Sequence, residues 1–192
     1  MPQNDQTVLD FLQSRRSRPA KTLVAPAPTR AALMPLLTAA ARSPDHGKLE
    51  PWRFVVLEQG AMHRLAELTA QRGEALGKSA EDIAKGRSQF DQGILAVAVI
   101  EVQKPSEKIP AIEQSYSAGA VCLALLNAAL ASGWGANWLS GWPSHDRGFC
   151  KAGLGLAENE RIAGFIHIAT EGSKPPERPR PDLDAITEWV SQ

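Results

Sequence analysis

The sequence predicts an α+β fold, a sheet covered by helices, in one domain over residues 1–192. Three observations predict it. The run from Ile94 to Val102 is nearly all apolar and rich in β-branched residues, as a central strand buried on both faces requires. The run from Ser117 to Ser132, closed by Gly133, is apolar nearly all round, so it reads as a long helix buried in a core or a subunit interface. Strand-like and helix-like segments interleave, with helical excursions too long and irregular for a βαβ series.

The elements follow in order. Thr7 to Ser14 has Val8 and Leu12 on one face and reads as a short amphipathic helix, ending where Arg15, Arg16 and Ser17 begin. Pro19, Pro26 and Pro28 mark an extended connection. Thr29 is an N-cap for a helix through Arg42, with Leu33, Leu36, Leu37, Ala40 and Ala41 at helical spacing and Pro35 placed to kink it or delay its start. Trp52 to Leu57 reads as a strand. Ala61 to Leu76 and Ser79 to Ser88 read as helices, the second opened by a Ser79…Asp82 capping box. After the long helix, Asn137 to Leu139 is a short strand, Phe149 to Leu154 a helical turn or two, and Arg161 to Thr170 a strand. A proline-rich stretch, Pro175 to Pro181, gives way to an amphipathic turn at Leu183 to Val190. No repeat or low-complexity segment is evident.

Composition narrows the function classes. A hydrophobic content of 43% excludes disorder as a global description. Twenty-one basic residues balance 21 acidic ones, so no net field argues for nucleic acid or an anionic membrane. Cys122 and Cys150 have no CxxC spacing and sit in apolar surroundings, which points to reduced, buried thiols in a cytoplasmic chain. Met1 to Asp5 lacks the basic-then-apolar pattern of a signal peptide. The longest apolar stretch, Ala118 to Ala131, falls short of the roughly 20 residues that a bilayer span requires.

Several motifs fail on inspection. Gly133 to Trp138 and Gly153 to Glu158 begin like dinucleotide fingerprints but place Trp138 and Glu158 where the third glycine belongs. Trp138 to Trp142 lacks the first glycine of a nucleophile elbow. His46, His63, His145 and His167 show no metal-binding spacing; His63 reads as a solvated helix face, His145 as a loop residue and His167 as lying on the face of its strand opposite Ile166 and Ile168. Arg15, Arg16 and Ser17 admit two readings. They can be the basic end of a helix, compensating its dipole, or an Arg fork and hydroxyl that engage a phosphate. Arg42 carries the same ambiguity. The ordered-looking loop Ser43-Pro44-Asp45-His46, followed by Pro51 and Trp52, is of the kind that carries function.

Taken together, Arg15 to Ser17, Arg42 to His46, Pro51-Trp52, Gln114 to Gly119, Trp138 to Gly141 and Ile162 to Phe165 resemble the FMN-dependent nitroreductase family, in its compact bacterial branch. The resemblance covers nearly the whole chain. It implies a nitroreductase-like fold with a mostly antiparallel central sheet, and a homodimer with the long helix at the interface and two FMN molecules there. It implies that Arg15, Arg16 and Ser17 contact the flavin from one subunit, with Trp138, Leu139 and Ser140 lining its ring. Arg42 and His46 reach it from the other subunit. A late arginine on the FMN phosphate matches Arg178 first and Arg180 second, and Ala128 to Gly133 matches a region of pyridine-nucleotide contact. Relatives in this branch often carry Arg where Leu139 stands, and Lys where Gly47 stands; Lys48 is the cation left to replace the latter.

The implied activity is an NAD(P)H oxidoreductase in which the flavin, through N5, passes a hydride from the nicotinamide to an electron-poor acceptor such as a nitroaromatic or a quinone, in ping-pong fashion. No protein nucleophile is needed, and His46 or Lys48 would favour the reduced ring's negative charge. The rival from another class is a flavin-binding storage or sensing protein without significant turnover.

Overall fold

Strand β3 (Ala96–Val102) explains the architecture, because its alternate residues enter two different cores. Val97 and Val99 face one layer, with Leu33, Leu36, Val121, Cys122, Leu125, Ile166 and Ile168. Ala96, Ala98 and Ile100 face the other, with Leu57, Met62, Leu65, Phe90, Phe149 and Phe165. The structure, a computed structural model, describes residues 6–192; the reading of Met1 to Asp5 lies outside them. The first layer is built by helices α2 (Arg30–Ala40) and α5 (Ala111–Ala131). The second is built by α3 (Gln59–Ala75), α4 (Ala80–Asp91) and α7 (Arg147–Leu154). Phe90 anchors it, edge-on to Phe165 at 5.3 Å between ring centroids and tilted against Phe149 at 5.6 Å.

The sheet is antiparallel throughout. Strand β2 (Trp52–Leu57) pairs with β3, β3 with β5 (Glu160–Glu171), and β5 with both β1 (Leu23–Val24) and β4 (Gly135–Leu139). A bulge between Val99 and Ile100 shifts the β3–β5 register, so Val99 faces Gly164 while Ile100 faces Ile162. Gly164 is required there: a Cβ would stand 2.0 Å from Nε1 of Trp138, whose indole lies across it.

The caps behave as the sequence predicts. Thr29 Oγ1 accepts the Ala32 N–H, and Ser79 Oγ accepts that of Asp82 while donating to its carboxylate. Pro35 lies inside α2 without delaying its start, and the helix ends at Ala40 rather than Arg42. The long helix α5 begins at Ala111, six residues before Ser117, because its first turns expose Ile112 and Tyr116 and so carry no burial pattern to read. At 21 residues it reaches the length of a membrane span, unlike the shorter apolar run in the sequence, yet it packs along α2, β3, β4 and β5 as the core helix. Gly133, at φ +83°, turns the chain out of it into β4.

Other departures are local. Strand β1 is only two residues long, set among prolines, too short for an alternation signal. A four-residue helix, α6 (Trp142–His145), holds His145 where the sequence suggests a loop. At the C-terminus only Leu183–Ile186 is helical, since a single exposed turn has nothing to pack against.

Candidate functional site

Helix α1 (Gln6–Ser14) delivers the chain directly into the arginine turn. There the Arg18 N–H donates to the Ala136 carbonyl at 2.8 Å, which lays residues 15–18 beside the start of β4. Arg15 Nη2 donates to Ser17 Oγ at 3.2 Å, and Arg18 forms an ion pair with Glu171 at 2.8 Å. Arg16 and Arg180 both reach Glu177 Oε1, at 3.3 Å and 3.1 Å, so one exposed carboxylate serves two guanidinium groups. Arg15, Arg16 and Arg18 line a cleft of about 230 Å³ closed by Leu130, Gly133 and Trp134 at the end of α5. Burial, and then the charges of Arg180, Arg16 and Arg18, push the Arg15 guanidinium below its ordinary pKa. Its Nε is buried with no hydrogen-bond partner. This is a concentration of positive charge short of an anion. Both late arginines are exposed; Arg180 adds its charge to these cations, and the Arg178 backbone N–H donates to Glu177.

The Pro44–Glu50 loop forms a second centre. It is tied to α5 through Pro44 and through His46. Ser117 Oγ donates to the Pro44 carbonyl at 2.8 Å and accepts from Trp52 Nε1 at 3.1 Å. His46 Nδ1 lies 2.6 Å from Glu113 Oε2. Gly47, at φ +73°, lies against Ile109, where a Cβ would stand 2.5 Å from the Ile109 Cδ1. Lys48 and Glu50 also have positive φ, at 55° and 47°, a strain of about 1 kcal/mol or more each for residues with a Cβ. Pro44, His46, Glu113, Tyr116 and Ala120 line an open cleft of about 440 Å³. Arg42 and Lys48 are exposed at either side of this loop.

The end of β4 forms the third. Leu139, Ser140, Gly141 and Trp142 border a cleft of about 540 Å³ whose far wall is α4, through Asp82, Lys85, Ser88 and Gln89. Trp138, on the same strand, is partly exposed with its indole over Gly164 of β5. Gln89 is buried, and its Oε1 has no partner among the described residues. The sequence reading passed over Lys85 and Gln89. The only signal for them is Gly86, which leaves room for the Trp142 indole and so draws α4 against the β4 end.

The arginine turn and the end of β4 thus share one strip of surface, since Ala136 and Trp138 are about 7 Å apart along the strand. His46 is remote from the arginine cleft, at the opposite end of α5. Glu113 in its first turn and Leu130 in its last are separated by about 25 Å at 1.5 Å per residue. Within one chain the arginines and His46 are not brought together. Among the described residues no group of three His, Cys, Asp or Glu could hold a metal ion.

The protein is thus an α+β fold with an antiparallel sheet, a long core helix and, at that helix's end, a cleft lined by Arg15, Arg16 and Arg18 with Glu171 beside them. Residues 12–170 match the nitroreductase family, and the chain belongs to it. It is 33% identical over 162 residues to an Escherichia coli K12 protein named "Putative NAD(P)H nitroreductase YdjA", covering 84% of this chain and 87% of that protein. A Haemophilus influenzae Rd protein named "Putative NAD(P)H nitroreductase" is 31% identical over 164 residues, covering 84% and 87%. Among solved structures, a nitroreductase-like protein from Bacillus cereus superposes with a TM-score of 0.76 at 22% identity, over 99% of both chains. A Desulfovibrio desulfuricans protein described as a "putative nitroreductase in complex with fmn" gives 0.76 at 19% identity over 100% of both. These two establish the nitroreductase-like fold that the sequence motifs imply.

Proposed function

We propose that this chain is an FMN-dependent NAD(P)H oxidoreductase, one domain per subunit, working as a homodimer with FMN at the subunit interface. The observation that carries the reading is Arg15, a guanidinium with a buried, unpartnered Nε surrounded by the like charges of Arg16, Arg18 and Arg180. A phosphate dianion supplies what that cluster lacks, and a mononucleotide has one such end. The names of the bacterial relatives, which specify NAD(P)H, and the FMN complex of the Desulfovibrio protein support the same assignment.

In this reading Arg15, Arg16 and Ser17 bind the phosphate, with Arg180 beside them and Arg178 the alternative. Trp138, Leu139 and Ser140 wall one side of the ring, and Lys85 and Gln89 border the same cleft. Arg42, His46 and Lys48 come from the second subunit, because in their own chain they lie at the opposite end of α5 from the arginine cleft. When bound, FMN supplies two-electron transfer from a reduced nicotinamide to an electron-poor acceptor, such as a nitroaromatic or a quinone. The protein's part is to bind, to orient and to place positive charge where the ring gains negative charge. Leu139, apolar where relatives in this branch often carry Arg, leaves that task to the cations of the His46 loop. Free thiols at Cys122 and Cys150, both buried, suit work in the reducing cytoplasm.

The test is to release the cofactor by heat, identify it by chromatography, and follow NAD(P)H oxidation with a quinone or a nitroarene. FMN with steady turnover is expected. FAD as the main species, or a colourless protein that takes up no flavin, would overturn the cofactor assignment; bound FMN without turnover would leave a storage or sensing protein.

A further inference from the structure

We infer that Glu113 is a positioning residue for His46, fixing which ring nitrogen the histidine offers to the flavin; the inference rests on the composite site proposed above. An ionised carboxylate can only accept, so the 2.6 Å contact to Glu113 Oε2 makes His46 Nδ1 the proton-bearing nitrogen. Nε2 makes no hydrogen bond to any described residue and is the nitrogen left for a ligand. An unconstrained neutral histidine side chain in water prefers the opposite tautomer, with the proton on Nε2. Glu113 therefore reverses the default, as a carboxylate behind a metal-bound histidine does.

The local construction supports this more than a surface ion pair would require. An exposed pair alone contributes little, and an acidic residue in the first turn of a helix is favoured there without any histidine. Here, however, the loop bearing His46 holds two non-glycine residues, Lys48 and Glu50, in the left-handed region. It is held on both sides of the contact, to α5 by the Pro44–Ser117 hydrogen bond and to the segment leading into α5 by Gly47 against Ile109. His46 and the first turn of α5 are thus held as one unit. In the cleft they share, the aromatic ring of Tyr116 stands free.

Nitrogen-15 NMR of the histidine rings, in FMN-free full-length protein above the histidine titration range, reads the tautomer directly, with His46 assigned by the signal lost in His46→Ala. The Nδ1–H form is expected in the parent and in Glu113→Gln, whose amide oxygen still accepts. Glu113→Ala should return His46 to the Nε2–H form; an unchanged tautomer in Glu113→Ala would overturn the inference and leave the composite site standing. In the FMN-loaded dimer, His46→Ala and Glu113→Ala should each lower kcat roughly ten-fold, the worth of one charge-assisted hydrogen bond. The double variant should be no slower than His46→Ala, and Glu113→Gln should recover most of the rate. Additive losses would overturn the inference. Parental turnover in His46→Ala would instead overturn the placement of His46 at the flavin, and the inference with it.

Discussion

Arg53 clasps Glu160 across the intervening strand β3, its Nε donating to one carboxylate oxygen at 2.6 Å and its Nη2 to the other at 3.0 Å. The same carboxylate accepts the Ala157 N–H at 3.0 Å, so the first residue of β5 is fixed to β2 and to its own approaching turn. The bidentate grip thus ties the outer strand β2 to the start of β5 over the β3 strand between them.

Glu160 makes the acid limb of stability testable. Its hydrogen bonds from Arg53, and secondarily that from Ala157, hold its pKa below the usual carboxylate range despite burial. A carboxyl depressed in the folded state contributes fully above its unfolded pKa, and the contribution is lost as pH falls through the folded value. Glu160→Gln should cost about 1–2 kcal/mol near neutrality, discounted because the Arg53 side chain is 40% exposed. As pH falls through that lowered value the variant and parent should converge, as chemical denaturation across pH would show.

His167 sets a second window. It is 1% exposed, neither ring nitrogen has a partner among the described residues, and burial lowers its pKa from 6.5 to about 4. It is therefore neutral in the folded protein where the unfolded chain binds a proton. The unfolded state holds more protons between those two values, so stability falls as pH drops through that window, by a total on the order of 3 kcal/mol. His167→Met, apolar and of adaptable shape, should flatten the stability curve over this range. An unchanged slope would show that the ring finds a proton acceptor on the folded side.

The contrast between these two residues shows what was legible in the sequence. The longer strands were, because β3 is buried on both faces and its composition says so, and β5 likewise around Ile166 and Ile168; the two-residue β1 was not. The helix caps at Thr29 and Ser79 were, because capping is local chemistry. The face of His167 was also readable from its position between two isoleucines, but not its burial, since that depends on Met62 and Gly93 reaching over it from elsewhere in the chain. Of the site, the arginine turn and the His46 loop stood out as motifs. The Arg15–Arg180 proximity, the Glu113 contact and the α4 wall did not, because each joins segments far apart in sequence through geometry that no spacing encodes. The start of α5 was hidden for a related reason: Ile112 and Tyr116 point away from the core of their own chain.

That exposed face of α5 yields a prediction on assembly. Ile112, Tyr116 and Leu123 are 53%, 68% and 45% exposed and recur at helical spacing on one side of a helix whose other side is the core. An apolar stripe of this kind on the proposed interface should not tolerate a charge. Leu123→Asp should shift sedimentation from dimer to monomer and release FMN, while leaving the circular dichroism of the subunit intact. A monomeric parent that retains flavin would contradict the composite site.

The final prediction separates binding from stability at the arginine turn. Removing Arg15 takes away one charge-assisted hydrogen bond to the FMN phosphate, about 1.5–3 kcal/mol, or roughly ten- to a hundred-fold in dissociation constant. Arg16→Ala should weaken binding less, because Arg16 divides its charge with Glu177 even without ligand. Arg42→Ala should weaken binding and dimer association together, since the proposed dimer brings it to the site from the other subunit. The FMN-free protein should respond to Arg15→Ala in the opposite direction. There the guanidinium is partly buried, one nitrogen is unsatisfied, and three neighbouring cations repel it, so its removal relieves a cost that only the ligand offsets. Thermal unfolding of parent and Arg15→Ala, each with and without FMN, gives the comparison. The variant should melt no lower than the parent when empty and clearly lower when FMN is supplied. If it melts lower in both states by the same amount, Arg15 is a structural residue of the β4 edge, and the phosphate belongs elsewhere.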